Sequence, residues 1–182
     1  DCIASHGHTS HHKPQEGITF QLGDGRQLCQ ASGYKTICDF RVQDVQLGGQ
    51  GAPLVPIGDA LLFQEYAYCI NLGGISNVSF DHGGKRLAYD IGMANMPLNY
   101  LARKLGKPFD DNGQMARSGR LLPKLFDRLN NLAYYQLPYP KSTGVEWFFE
   151  KVCPLIDHAN GSLQDILHTM VHHNSFQIAK AI

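Results

Sequence analysis

Apolar residues in the first forty positions come in short bursts, and each burst is closed by glycine, proline or a charged residue. The pattern predicts a buried strand over Cys2 to Ser5, a His-rich loop closed by Pro14 and Gly17, and a second strand over Thr19 to Leu22. Asp24 is placed to cap a helix from about Gly25 to Ala31, and Gly33 supplies its left-handed stop. The β-rich run Tyr34 to Phe40 reads as the next strand. The cluster GGQGAPLVP, Gly48 to Pro56, reads as irregular, with a short helix following near Asp59 to Gln64.

From Tyr66 the period changes. Strands over Tyr68 to Leu72, Ile75 to Phe80 and Arg86 to Asp90 are joined by Gly73-Gly74 and by Asp81-His82-Gly83-Gly84, turn chemistry that favours antiparallel hairpins. Helical periodicity follows over Pro97 to Leu105, Gly113 to Arg117 and Leu121 to Leu129. A Pro- and Tyr-rich loop (LPYPKST) then leads to helix over Leu163 to Leu167 and from about Met170 onward. The expected organisation is α/β in two lobes divided near residue 65. A strand that opens without a methionine and a helix still in pattern at Ile182 are the features of a central portion of a longer protein.

Composition narrows the function classes. Lys plus Arg and Asp plus Glu both number 16, so the formal charge is zero and no basic stripe offers itself to a phosphate backbone; nucleic acid is not an expected partner. The apolar runs are far too short for a membrane-spanning helix, which leaves a cytoplasmic location as the expectation. Five cysteines without C-x-x-C spacing read as reduced, buried, small apolar residues.

Five segments are candidates for chemistry. The histidines of HGHTSHH (His6, His8, His11, His12) have zinc-like ligand chemistry but no partner carboxylate or cysteine pair nearby, and a hydrogen-bonding role for His6 or Thr9 at a strand end is the favoured reading. PKSTG, Pro140 to Gly144, lacks the first glycine of a phosphate loop and is stiffened by prolines, so it is not one. Asp90, before Ile91-Gly92, is either a cap or turn aspartate or a carboxylate presented at a strand tip. Asp39 and Arg41 are either an ion pair or part of a site. In CINLGGISNVSF, Gly73 and Gly74 either turn a hairpin or clear a floor for an anion.

Taken together, SHGHT with His12 and Pro14, FQLGD, CDFRVQD, GGQGAPLVP, NLGGISN, YDIGMAN and PKSTGVEWF resemble, in order and spacing, the anhydro-N-acetylmuramic acid kinases of the actin/hexokinase-like ATPase superfamily. The resemblance implies a ribonuclease H-like two-lobe fold, here incomplete at both ends, with residues 1–65 the end of the first lobe and 66–182 the start of the second. It implies ATP and Mg²⁺, hydrolytic opening of a 1,6-anhydro sugar ring and phosphorylation of O6 in cell-wall recycling. Partners would be the sugar and ATP, with a homodimer left open. By match to the family's motifs, Asp90 is the catalytic base, Thr9, Asp39 and Arg41 belong to the sugar site, and Gly73, Gly74 and Asn77 to a phosphate-binding hairpin; no metal ligand is assigned. The chain departs from the family pattern at His8, usually Gln, at Val42 and Gln43, usually Arg, and at Ile91, Met93 and Ala94 in DIGMAN, usually Asp-Thr-Gly-Pro-Gly-Asn. The family's N-terminal phosphate loop and C-terminal adenosine motif lie outside this span, so these 182 residues alone are expected to be inactive. The alternative is a non-catalytic relative that binds a sugar or muropeptide.

Overall fold

In the computed structural model, residues 1–49, 51 and 53–182 are described, with the side chain of Gln15 excepted. They form two compact units, Asp1–Leu61 and Leu62–Ile182.

In the first unit, β1 (Cys2–Ala4) pairs in parallel with β4 (Lys35–Ile37), and β2 (His8–Lys13) pairs antiparallel with β3 (Ile18–Leu22). Helix α1 (Gly25–Ser32) starts where expected: Asp24 Oδ1 accepts the N–H groups of Arg26 and Gln27 at 2.8 and 3.1 Å, bonds that hold its carboxyl below the usual range. Gly33 ends it at φ 72°. Two short helices, α2 (Val42–Gln46) and α3 (Val55–Leu62), complete the unit.

Three expectations change here. The His-rich segment is not a loop but strand β2, because its polar side chains occupy exposed positions while its backbone pairs with the apolar β3. The strand expected to Phe40 ends at Ile37, since Asp39 adopts a left-handed φ of 60° that no ladder accommodates. The helix expected from Asp59 begins at Val55, inside the glycine cluster, where Pro56 in its first turn lacks only an N–H that has no helical partner there. Gln50 and Ala52 of that cluster lie outside the described residues.

The second unit opens with an antiparallel meander of β5 (Tyr68–Leu72), β6 (Ile75–His82) and β7 (Lys85–Met93). Gly83 and Gly84, at φ 58° and 74°, make the two-residue turn between β6 and β7, a conformation that favours glycine at both places. Helices α4 (Asn95–Lys104), α5 (Gln114–Arg117) and α6 (Pro123–Asn130) follow. Next, α7 (Val145–Trp147) runs through a π turn (Phe148–Val152) into α8 (Cys153–Asp157), and α9 (Leu163–Ala181) closes the chain. Sequence reasoning does not predict the α7–α8 stretch. Val145, Phe148, Phe149, Val152, Cys153 and Ile156 do recur at helical spacing, but the stretch follows the Pro-rich loop and holds Pro154, which reads as a breaker; a π turn precedes that proline.

Helix α9 is one element, not two. Ser162 and Asp165 form its capping box, and the polar Thr169 that interrupts the apolar pattern is fully buried. Its hydroxyl donates to Asp165 O at 2.7 Å and accepts the Leu122 N–H at 2.9 Å, so the polar group is satisfied inside the core. Leu101, Leu129, Phe148, Ile156, Leu167 and Met170 are the centre of that core, each side chain contributing about 1.5–3 kcal/mol by burial. Of the cysteines only Cys153 is buried: Cys2 is exposed and Cys29, Cys38 and Cys69 are half-buried, because their strands and helix lie near the surface of thin layers. Among the described residues no helix is long and apolar enough to cross a membrane.

Candidate functional site

The two Gly-Gly pairs of the meander differ in what they require. Unlike Gly83-Gly84, neither Gly73 nor Gly74 has a left-handed φ. A Cβ placed on Gly73 would meet Ile75 O at 3.4 Å and one on Gly74 would meet Met96 Cε at 3.6 Å, both ordinary contacts. No local backbone or packing demand calls for glycine here. The carbonyls of this turn are engaged: Gly74 O accepts from the N–H groups of Ala94 and Met96, Gly73 O from that of Asn95, and Leu72 O from Asn95 Nδ2 at 3.2 Å. The hairpin thus caps the start of α4, and those helix amides are not free for an anion.

Asn77 of the same hairpin stands directly opposite Asp90 in the β6–β7 ladder, so the two side chains share a face. The register slips between Ser76 and Asn77, a bulge of the kind that re-aims side chains. Asp90 is half-buried, and the segment after Pro140 ties it down. Its Oδ2 accepts the Thr143 N–H at 3.0 Å, its N–H donates to Lys141 O at 2.9 Å, and its carbonyl accepts the Tyr134 hydroxyl at 2.6 Å. Burial pushes the Asp90 carboxyl up from the ordinary aspartate value, and the Thr143 N–H draws it partly back. A proton acceptor raised in this way suits a general base. Behind it, a Cβ on Gly92 would lie 2.7 Å from the Tyr135 ring, so glycine is required there by space.

Ile91, Met93 and Ala94, the changed positions of DIGMAN, are all buried, Met93 within the main core. Ile91 lines a cavity of about 380 Å³ with Tyr89, Tyr139, Lys141 and Lys180; Asp90 is not part of that lining.

In the first unit, Arg41 Nη1 donates to Gly51 O at 2.5 Å and Nη2 lies 3.0 Å from His6 Nε2. Arginine only donates, so His6 Nε2 accepts and the imidazole proton is on Nδ1. Asp44 Oδ2 accepts the Gly51 N–H at 2.6 Å. The two side chains clamp one residue from both sides. Gly51 must be glycine twice over: its φ is 62° and a Cβ would be 2.7 Å from Val45 Cγ2. Arg41 Nε is buried without a partner among the described residues, and burial lowers the guanidinium pKa. Asp39 is exposed and accepts from the Cys38 thiol at 3.4 Å; its carboxylate is not the partner of Arg41. Thr9 is half-buried beside the β2 bulge, opposite Gln21. In the His-rich strand His12 Nδ1 lies 3.1 Å from Thr19 Oγ1 across the ladder, while at the bulge His11 Nδ1 lies 3.3 Å from the Oγ of its neighbour Ser10. Among the described residues no group of three His, Cys, Asp or Glu side chains could hold a metal ion.

Sequence reasoning misses Tyr134, Thr143, Tyr135 and His173. Only Thr143 carries a signal in the chain, through PKSTG, and that signal reads as a defective phosphate loop rather than as a strap. The other three lie far from Asp90 along the chain and reach it, or the backbone behind it, only through folding.

Comparison with known proteins supplies the family. The family profile described as anhydro-N-acetylmuramic acid kinase matches residues 1–182. A relative of that name from Idiomarina loihiensis is 44% identical over 154 residues, 80% of this chain and 42% of the relative. One from Gloeobacter violaceus is 42% identical over 159 residues, 81% of this chain and 42% of the relative. One from Shewanella frigidimarina is 36% identical over 190 aligned positions, 99% of this chain and 51% of the relative. The chain spans about half the length of the curated relatives it matches. A profile match over its whole extent, with these identities, means that the chain belongs to the anhydro-N-acetylmuramic acid kinase family.

Proposed function

We propose that the complete gene product is an ATP-dependent sugar kinase of the cytoplasm, built on a two-lobe ribonuclease H-like fold, in which this chain supplies the general base and part of the sugar and phosphate contacts. The observation that carries the reading is Asp90: a half-buried carboxylate with a raised pKa, anchored through one oxygen and set on the same sheet face as Asn77. In the reaction, Asp90 accepts a proton from water as the water oxygen bonds to the anomeric carbon. The bond from that carbon to O6 breaks, O6 bonds to the γ-phosphorus, and ADP leaves. Gly73 and Gly74, where nothing among the described residues demands glycine, keep side-chain bulk away from an approaching phosphate. Mg²⁺ enters on the phosphates of ATP, where it neutralises charge, and no ligand to it is assigned in this chain. The 182 residues alone are expected to lack turnover.

Burial of Ile91, Met93 and Ala94 favours this reading over a non-catalytic sugar binder. Their departure from the family pattern is absorbed by packing and leaves the Asp90 carboxylate and its anchor in place.

The test is the complete gene product with 1,6-anhydro-N-acetylmuramic acid and ATP in ¹⁸O-water. N-acetylmuramic acid 6-phosphate labelled only at the anomeric oxygen is expected. Absence of product, or label in the phosphate, overturns the reading.

Arg41 is assigned to the lactyl carboxylate of the sugar, through the second N–H of Nη1 and of Nη2, whose other N–H groups donate to Gly51 O and His6 Nε2. Since hydrogen bonds between ions contribute about 1.5–3 kcal/mol, Arg41→Ala is expected to weaken sugar binding by about tenfold or more in calorimetry. Unchanged affinity removes the assignment.

A further inference from the structure

We propose that the segment Lys141–Gly144, tied to β7 through Tyr134, is a positioning device that fixes one carboxylate oxygen of Asp90 and leaves the other to face the reacting water, with Thr143 as the positioning residue. The inference rests on the general-base reading of Asp90.

Three residues form a closed circuit. The Asp90 N–H donates to Lys141 O at 2.9 Å, Lys141 Nζ donates to Tyr134 O at 3.1 Å, and the Tyr134 hydroxyl donates to Asp90 O at 2.6 Å. Lys141 Nζ also sits 4.8 Å above the Tyr134 ring, so ammonium and phenol hold each other as well as Asp90. Both peptide groups of Asp90 are therefore fixed from outside its own ladder.

The side chain is fixed separately. Thr143 N–H binds Oδ2 at 3.0 Å, and Oδ1 has no partner among the described residues. A carboxylate bound through one oxygen and free at the other keeps one orientation without losing its capacity to accept a proton, which is the preorganisation a general base requires. The bulge opposite, at Ser76/Asn77, adds to the aim of this strand position. Thr143 contributes through its backbone: its Oγ1 is buried without a partner among the described residues and takes no part in holding the strap. Of the titratable groups around the strap, the Tyr134 phenol is raised by burial and by the Asp90 charge, and the Lys141 ammonium, held against Tyr134, is lowered by burial and by Lys180.

The test follows the Thr143 amide proton and the Asp90 carboxyl carbon by NMR in the isotopically labelled chain, from about pH 3 to about pH 8, a range that brackets a raised aspartate. The two signals are expected to move with one shared midpoint. Asp90→Asn should abolish the movement of the amide, and Thr143→Val, which keeps the N–H, should retain it. Thr143→Pro removes the donor and should raise the Asp90 midpoint by about one unit; if that variant does not fold, the shared midpoint in the unmodified chain still decides. In the complete gene product, Tyr134→Phe is expected to lower kcat about tenfold with KM for the sugar unchanged, since it acts on Asp90 and not on substrate. A Thr143 amide blind to Asp90 ionisation, or a Tyr134→Phe effect confined to KM, overturns the inference. Failure of the kinase reading looks different: no turnover by the unmodified gene product, with the shared midpoint intact.

Discussion

Asp90→Asn in the complete gene product is expected to lower turnover by about 10²–10⁴-fold, the range that a positioned general base contributes, while the dissociation constant for ATP stays within about twofold. The substitution keeps shape, and an asparagine oxygen can still accept the Thr143 N–H that holds Oδ2. On the proposed mechanism, what disappears is the ability to take a proton from water as it attacks a carbon gaining positive charge. The pH profile gives a second readout. Because burial raises the Asp90 carboxyl, the acid limb of kcat should lie above the ordinary aspartate value near 3.8, with rate lost as pH falls through it. That limb should be missing from the residual activity of the variant. Turnover within about tenfold of the unmodified enzyme would mean that another group is the base.

The second large effect is acid destabilisation through His173. Its side chain is 1% exposed in α9, with Nδ1 2.7 Å from Asn130 Oδ1 and Nε2 3.0 Å from the Tyr135 hydroxyl. An amide oxygen only accepts, so Nδ1 carries the proton and Nε2 receives the tyrosine O–H; the neutral ring satisfies both partners. Burial holds its pKa down at about 4, against an ordinary histidine value of 6.5. Above about pH 6.5 the ring is neutral in folded and unfolded chains and stability is full. Below that, the unfolded ring takes a proton that the folded ring refuses, so stability falls as pH falls, by about 1.4 kcal/mol per unit and about 3 kcal/mol in all by pH 4. Urea unfolding of the chain at pH 7 and near pH 5 measures this, and His173→Gln should flatten the slope. An unchanged midpoint between those pH values would sink the prediction. The effect also reaches the site, because Tyr135 links His173 to the backbone beside Gly92.

Local features are legible wherever the determining atoms are neighbours in the chain. Asp24, Gly33 and the Gly83-Gly84 turn act within a few residues, and their elements stand where expected. The His-rich β2 reads as a loop because a polar strand declares itself only by its partner, and that partner, β3, carries the apolar residues. The two predicted segments of the last helix merge because Thr169 finds its second hydrogen bond on Leu122, 47 residues away. The Gly73-Gly74 pair stands out in the chain, yet that neither φ nor close packing demands glycine there is seen only in the φ angles and in the ordinary contacts a Cβ would make.

By itself the sequence determined the three-strand meander of the second unit and the family, and it singled out Asp90 as a candidate, because spacing and motif order are properties of the chain read in line. Only the tertiary structure decided what holds that residue: the Thr143 N–H reaches its carboxylate across 53 residues, the Tyr134 hydroxyl reaches its backbone carbonyl across 44, and His173 stands behind Tyr135 from 38 residues further on. Hydrogen bonds of that separation leave no periodicity in a sequence, since their partners are selected by the packing of helices on the sheet and not by any local preference of the backbone.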